Sequence, residues 1–219
     1  MSSHLEQARY NMVEQQVRPW DVLNDKVLNT LETIPRDQYV PAQYLNLAYA
    51  DTAIPLNESQ KMLHPIIEGR ILQLLNIQPE DDVLEIGTGS GYLTACIANL
   101  ACHVESIEID EALAKRAAQT LLEQGIFNIS LSIGDGLESS AINKKYNHII
   151  LTGAVADIPQ SLKNALKDKG KMFVVTGNAP AMTAHIITRT ADDKWSDEVV
   201  FETVIKPLVH GEKKAEFKF

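Results

Sequence analysis

Cysteine is scarce: Cys96 and Cys102 are the only two in 219 residues. They stand six apart in a stretch that reads as helix, which excludes a disulfide framework as the basis of the fold and points to a reducing, cytoplasmic setting. Neither has a CxxC partner and the six histidines are scattered, so no metal site is expected. Long apolar runs are also missing. None approaches the roughly 18 residues of a membrane span, and the opening "MSSHLEQARYN" lacks the apolar centre of a signal peptide. Basic charge is in deficit, since 20 Lys and Arg against 29 Asp and Glu leave a net charge of −9. That balance argues against a general binder of nucleic acid, and no nucleic-acid or membrane partner is expected. Internal repeats and low-complexity segments are not found. What remains is the composition of a folded chain, 45% hydrophobic and 22% charged, of a length that suits one domain.

The front of the chain is helical. Residues 5 to 17 carry Leu5, Met12 and Val17, and Arg18-Pro19 stops the helix because the residue before proline is pushed out of the helical region. A second helix is expected from Asp21, its cap, to Thr33, with Val22, Leu23, Val27, Leu28 and Leu31 on one face. "QYLNLAYAD" reads as a short helix or turn and "TAIPLNESQKML" as a loop. A third helix opens on Pro65 and runs to Leu75, with Ile66, Ile67, Ile71, Leu72 and Leu75 at helical spacing. Residues 1–75 thus form a helical extension with a loop, and 76–219 an α/β core.

From Pro79 the rhythm changes. The strand-like runs are "DVLEIG", "HVESIEI", "ISLSIG", "HIILTG", "GKMFVVTG", "AHIITRT" and "EVVFETVI". Helices fit between the first five, at 91–100, 111–124, a short one near 137–142, and 158–168. Such alternation predicts a mostly parallel, Rossmann-like sheet covered on both faces. "ADDKW" reads as a hairpin turn, so the sheet is expected to end in an antiparallel pair.

In such a sheet ligands sit beyond the carboxyl ends of the strands, and the first strand-to-helix turn is the usual place. Here it reads "VLEIGTGSGYL". Gly87 allows a tight turn, Gly89 lets a ligand approach bare backbone beside Thr88 and Ser90, and Gly91 lets the following helix pack close to the strand. A dinucleotide needs G-x-G-x-x-G, whereas this chain has G-x-G-x-G, with Tyr92 where the last glycine belongs. Glu85, two residues before the turn, would repel phosphate but accept hydrogen bonds from an ammonium group. That combination favours S-adenosylmethionine, which has an amino group and no phosphate.

Two more acids stand at strand ends. Glu108, 21 residues after Gly87 and next to Ile109 in "SIEID", suits the two hydroxyls of a ribose. Glu105 and Asp110 are nearby alternatives, the latter also a candidate helix cap. Asp135, followed by Gly136 in "IGDG", suits the exocyclic amine of adenine. "LTGAV" ends the fourth strand beside the expected transfer site, with Thr152 and the backbone of Gly153 and Ala154 as wall candidates. The tail "HGEKKAEFKF" is read as frayed surface without a function.

These motifs together resemble one family. "VLEIGTGSGYLTACIA", "SIEID", "GDG" and "ILTGAV", with the preceding "ADTAIPLNESQKMLHPIIEGRILQLLNIQPEDD", are similar to the protein-L-isoaspartate O-methyltransferases, and the similarity runs from about Asp21 to Leu208. The resemblance implies methyl transfer from S-adenosylmethionine, leaving S-adenosylhomocysteine, to the free α-carboxylate of an isoaspartyl residue in damaged protein. The ester then closes to a succinimide, part of which reopens as normal aspartate.

At one place the pattern departs. The family carries a Thr-Ile-Ser-Gln-Pro stretch whose serine contacts the substrate carboxylate. Aligned on Pro65, this chain reads Lys61-Met62-Leu63-His64-Pro65, so leucine replaces the hydroxyl. Where the family has glycines, this chain has Asn57, Glu58 and Ser59. Three expectations follow. Lys61, His64 or Ser59 takes over the carboxylate; or the pocket serves another carboxylate acceptor; or the protein binds the cofactor and transfers little.

Overall fold

The architecture is taken from a computed structural model, which describes residues 2–138, 140, 142 and 144–212. Helix α1, Ser2–Asn11, runs into a wider π-helical turn, Met12–Val17, and a tight 3-10 turn, Arg18–Trp20. This corrects the expected stop at Arg18-Pro19: Arg18 keeps helical angles, φ −54° and ψ −43°, Pro19 sits in the first positions of the 3-10 turn where its missing N–H costs nothing, and the helical path ends at Asp21. Helix α2 covers Asp25–Thr33, and its cap is Asn24, whose side chain accepts from the Lys26 amide at 2.9 Å. This corrects the expected start at Asp21, which instead takes a left-handed φ of 64°. The Gln73 side chain accepts the Leu23 and Asn24 amides there, holding the chain open where a further helical turn would have formed. "QYLNLAYAD" is a 3-10 segment, Ala42–Leu47. Helix α3, Pro65–Leu75, has the expected bounds.

The sheet follows in the order β3-β2-β1-β4-β5-β6-β7. Its strands are β1 Asp82–Ile86, β2 His103–Glu108, β3 Ile129–Ile133, β4 Tyr146–Leu151, β5 Leu166–Asn178, β6 Ala181–Ala191 and β7 Lys194–Glu202. The first five pair in parallel, and β5-β6-β7 are antiparallel. Helices α4, Tyr92–Leu100, and α5, Glu111–Glu123, follow β1 and β2. Asp110 caps α5, accepting from the Ala112 and Leu113 amides. The short helix expected near 137–142 falls partly on residues outside those described. The one expected at 158–168 shrinks to α6, Gln160–Asn164. Leu166 already pairs with Tyr146 of β4, and a register shift before His148 lets β5 start four residues ahead of Gly170.

Two apolar clusters flank the sheet. The larger joins Met12, Val17, Leu28, Leu31, Ile71 and Leu72 of the front helices to Val83, Ile97, Val104 and Phe173. The front helices therefore pack onto the face of the sheet that also carries α4 and α5. Switching strand order at β1 and β4 leaves a crevice at their carboxyl ends, and the front segment reaches over it.

Candidate active site

A cavity of about 580 Å³ opens at those carboxyl ends, a size ordinary for a small-molecule site. Its floor is β1 and the glycine turn. Its sides are the tips of β2, β3 and β4, the loop at 53–64 and the segment at 204–209. Of the residues expected at the site, Glu85, Gly87, Thr88, Gly89, Ser90, Glu108, Ile109, Asp135, Gly136 and Thr152 line it, as do Lys61, Leu63 and His64. Gly153 lines it as well.

The glycine turn is tight for identifiable reasons. Gly87 has φ +94°, and a Cβ there would collide with Thr152 Oγ1. That hydroxyl is fixed by donation to the Gly87 carbonyl at 2.7 Å and the Ile86 carbonyl at 3.0 Å. Gly91, φ +84°, does not line the cavity; the space it leaves is filled by Ala117 and Leu121 of α5. Its role is thus contact between the turn and α5, rather than the close approach of α4 to the strand that the sequence suggested.

The acids occupy distinct environments. Glu85 is fully buried; its Oε2 accepts the hydroxyls of Thr94 and Ser106, the latter at 2.7 Å. Its Oε1 has no partner among the described residues. Burial pushes this carboxyl up to about 7, against the pull of the two hydroxyls, and the charge of Glu108 adds to the rise. Glu108 accepts from the Gly89 amide at 2.8 Å and the Asp110 amide at 2.9 Å. The alternatives to it are engaged elsewhere: Asp110 caps α5, and Glu105 accepts from Tyr146 and pairs with Lys144. Asp135 accepts from the Leu137 amide at 2.9 Å and pairs with His210 Nδ1 at 2.7 Å.

On the other side, Leu63 replaces a hydroxyl with an apolar wall that packs on the core. Lys61 forms a backbone bridge with Pro55 across the loop and lines the cavity, and its ammonium makes no hydrogen bond or ion pair among the described residues. His64 lies 3.4 Å from Asp51. Ser59 does not line the cavity; its hydroxyl bonds back to Asn57, and its carbonyl accepts from Lys206 at 2.8 Å.

Three features were not read from the sequence. The segment from Val204 to Val209 forms a wall, including "KPLV", held by Ala154 through its amide to the Lys206 carbonyl and its carbonyl to the Leu208 amide. Ala154 therefore supports the wall without being part of it. The start of the tail is not frayed: Gly211 is buried, its carbonyl accepts from Ala156, and Glu212 reaches the cavity. Beneath the acceptor side, Arg36 and Glu68 form a buried ion pair. No local motif marks any of these, because each depends on partners dozens of residues away.

Among the described residues no group of three or more His, Cys, Asp or Glu is placed to hold a metal ion, and no helix is long and apolar enough to cross a membrane. The sequence profile described as protein-L-isoaspartate(D-aspartate) O-methyltransferase matches residues 7–213. A protein named protein-L-isoaspartate O-methyltransferase from Aliivibrio fischeri (strain MJ11) is 33% identical over 205 residues, 94% of this chain and 98% of its own. One of the same name from Petrotoga mobilis is 36% identical over 199 residues, covering 90% and 93%. The fold matches a Plasmodium falciparum crystal structure described under the same enzyme name, in complex with S-adenosyl-L-homocysteine. That match has a TM-score of 0.79 at 18% identity and covers 92% of this chain and 98% of that one. At that identity the likeness speaks for the fold.

Proposed function

This chain belongs to the protein-L-isoaspartate(D-aspartate) O-methyltransferase family, and we propose that it methylates the free α-carboxylate of isoaspartyl residues in proteins with S-adenosylmethionine as donor. The observation that carries the donor half is Glu85 Oε1, a buried carboxyl oxygen on the cavity floor without a partner among the described residues. A buried polar atom left unpaired is costly, and a ligand N–H relieves that cost. The residues present thus fit an amino-bearing, phosphate-free ligand.

When bound, the donor supplies a methyl group on a sulfonium centre. In our reading Glu85 accepts the amino group. Glu108 uses its remaining lone pairs for the ribose hydroxyls, and Asp135 takes the adenine amine. Gly87 and Gly89 keep the backbone free of side chains where the ligand lies. Thr152 holds the turn from below.

The acceptor carboxylate is already ionised near neutral pH, so no general base is required. The protein's work is orientation in a site that excludes water. Lys61 is the residue we assign to the acceptor carboxylate, because it lines the cavity and its ammonium has no competing partner among the described residues. His64, beside Asp51, is a weaker candidate. Ser59 is a third that would need the loop to turn. On this reading the partners are isoaspartyl-containing proteins, and residues 1–75 and 76–219 act as one unit because they share a core. Unpaired Cys96 and Cys102 fit a cytoplasmic location.

A second reading keeps the donor and changes the acceptor to another carboxylate, and the apolar wall at Leu63 favours it. The deciding experiment incubates the protein with S-adenosylmethionine and an isoaspartyl peptide and measures methanol released by base. The first reading expects a base-labile ester. Donor binding with no ester on the peptide, but one on a small carboxylate, would establish the second.

A further inference from the structure

Arg36 is the largest side chain with no exposure at all. It stands in the turn after α2, and its guanidinium makes three separate contacts. Nη1 is ion-paired to Glu68 Oε2 in the first turn of α3. Nη2 donates to the Leu63 carbonyl at 2.7 Å. The guanidinium carbon lies 4.6 Å from the centre of the Tyr92 ring, on the first residue of α4 after the glycine turn. One buried cation therefore joins the acceptor loop, the helix behind it and the helix behind the donor turn. Glu68 also shows a surface to the cavity.

Buried ion pairs are weak devices for stability, because desolvation consumes most of their attraction, and apolar pairs of similar volume often serve as well. Their better use is to fix geometry. Elsewhere the loop is held through its own turn, by Leu56 N–H to the Gln60 carbonyl and Met62 N–H to the Ile54 carbonyl, and at its tip, where Asn57 donates to Asp110, Arg116 donates to the Leu56 carbonyl and Lys206 donates to the Ser59 carbonyl. Leu63 is where the loop enters the cavity wall, and the group fixed there is its backbone.

We propose that Glu68, acting through Arg36, is a positioning residue for methyl transfer, which sets the height of the 54–64 loop over the donor cavity. The proposal rests on the reading of that loop as the acceptor side. The volume-matched double variant Arg36→Met with Glu68→Leu removes both charges and the tether while keeping the packing.

Hydrogen exchange on the ligand-free protein is the direct readout. The Leu56 and Met62 amides should exchange at least about tenfold faster, with β1 amides unchanged. Donor affinity should stay within about threefold, while the KM for an isoaspartyl peptide rises at least about tenfold. Unchanged loop exchange in the folded variant overturns the proposal whatever the activity. Should the double variant not fold, Arg36→Lys decides: lysine keeps a charge for Glu68 but cannot form the planar fork that also reaches Leu63. Wild-type loop exchange in Arg36→Lys would overturn the proposal, and faster exchange would support it. A wild-type protein inactive on isoaspartyl peptide would defeat the functional reading and leave the exchange result standing.

Discussion

Glu108 Oε2 accepts the backbone N–H of Gly89 at 2.8 Å, so a carboxylate at the tip of one strand holds the glycine turn that follows its neighbour. The same side chain takes the Asp110 amide through Oε1, which sets the start of α5.

Removing it should loosen the turn and the donor together. Glu108→Ala leaves two amides without an acceptor, at about 1–3 kcal/mol if one stays unpaired. Donor affinity measured by calorimetry should fall about tenfold to a hundredfold. Glu108→Gln, which keeps an amide oxygen, should lose less. Equal affinity in all three proteins would refute this role.

Gly87 tests the shape of the turn. Alanine there is strained by φ +94° and collides with a Thr152 hydroxyl that two carbonyls hold in place. A destabilisation of about 1–3 kcal/mol is expected, read as a drop in Tm, with donor binding weakened. Gly125→Ala has a similarly positive φ but only a distant neighbour, Phe127 at 3.9 Å, and should leave donor binding intact.

Glu85 should make donor binding depend on pH. Its carboxyl titrates near 7 in the free protein, and an ammonium ligand needs the ionised form. Affinity should rise with pH up to about 7 and then level off, with roughly a thirtyfold loss at about pH 5.5. Stability of the free protein runs the opposite way. The folded carboxyl holds its proton above its ordinary value of 4.5, so stability falls as pH climbs from 4.5 through about 7. Glu85→Gln should flatten both profiles, and a profile in which Glu85→Gln tracks the wild type would exclude this group as the cause.

The acceptor side can be tested by restoring what the loop lacks. Leu63→Ser should raise kcat/KM on an isoaspartyl peptide by about tenfold to a hundredfold, at a modest cost in Tm from lost apolar contact. Lys61→Ala should raise KM for the same peptide and reduce its sensitivity to salt. A gain for neither peptide nor small carboxylate in Leu63→Ser would count against a lost hydroxyl as the limiting defect.

Much of this was legible locally. The bounds of α3 follow from Pro65 and five apolar residues in period, and the placing of Glu85, Glu108 and Asp135 follows from where strands must end. Helix α2 shows the limit. Asp21 and Asn24 are both good caps, and the choice between them is made by Gln73, about fifty residues on. Likewise nothing in "LKDKG" tells a reader that Leu166 already pairs with Tyr146. Ser59 looked available because a hydroxyl near a site always does; only the fold turns it toward Asn57.

The wall from Val204 to Glu212 has a consequence for synthesis. The strands that carry the donor acids emerge from the ribosome long before the residues that close the cavity over them. A nascent or prematurely terminated chain that stops short of the wall would have the glycine turn but an open crevice. Ligand rescue of folding should therefore begin only when the residues through Glu212 are free to pack over the crevice, which makes the cofactor a selective stabiliser of chains that carry the wall.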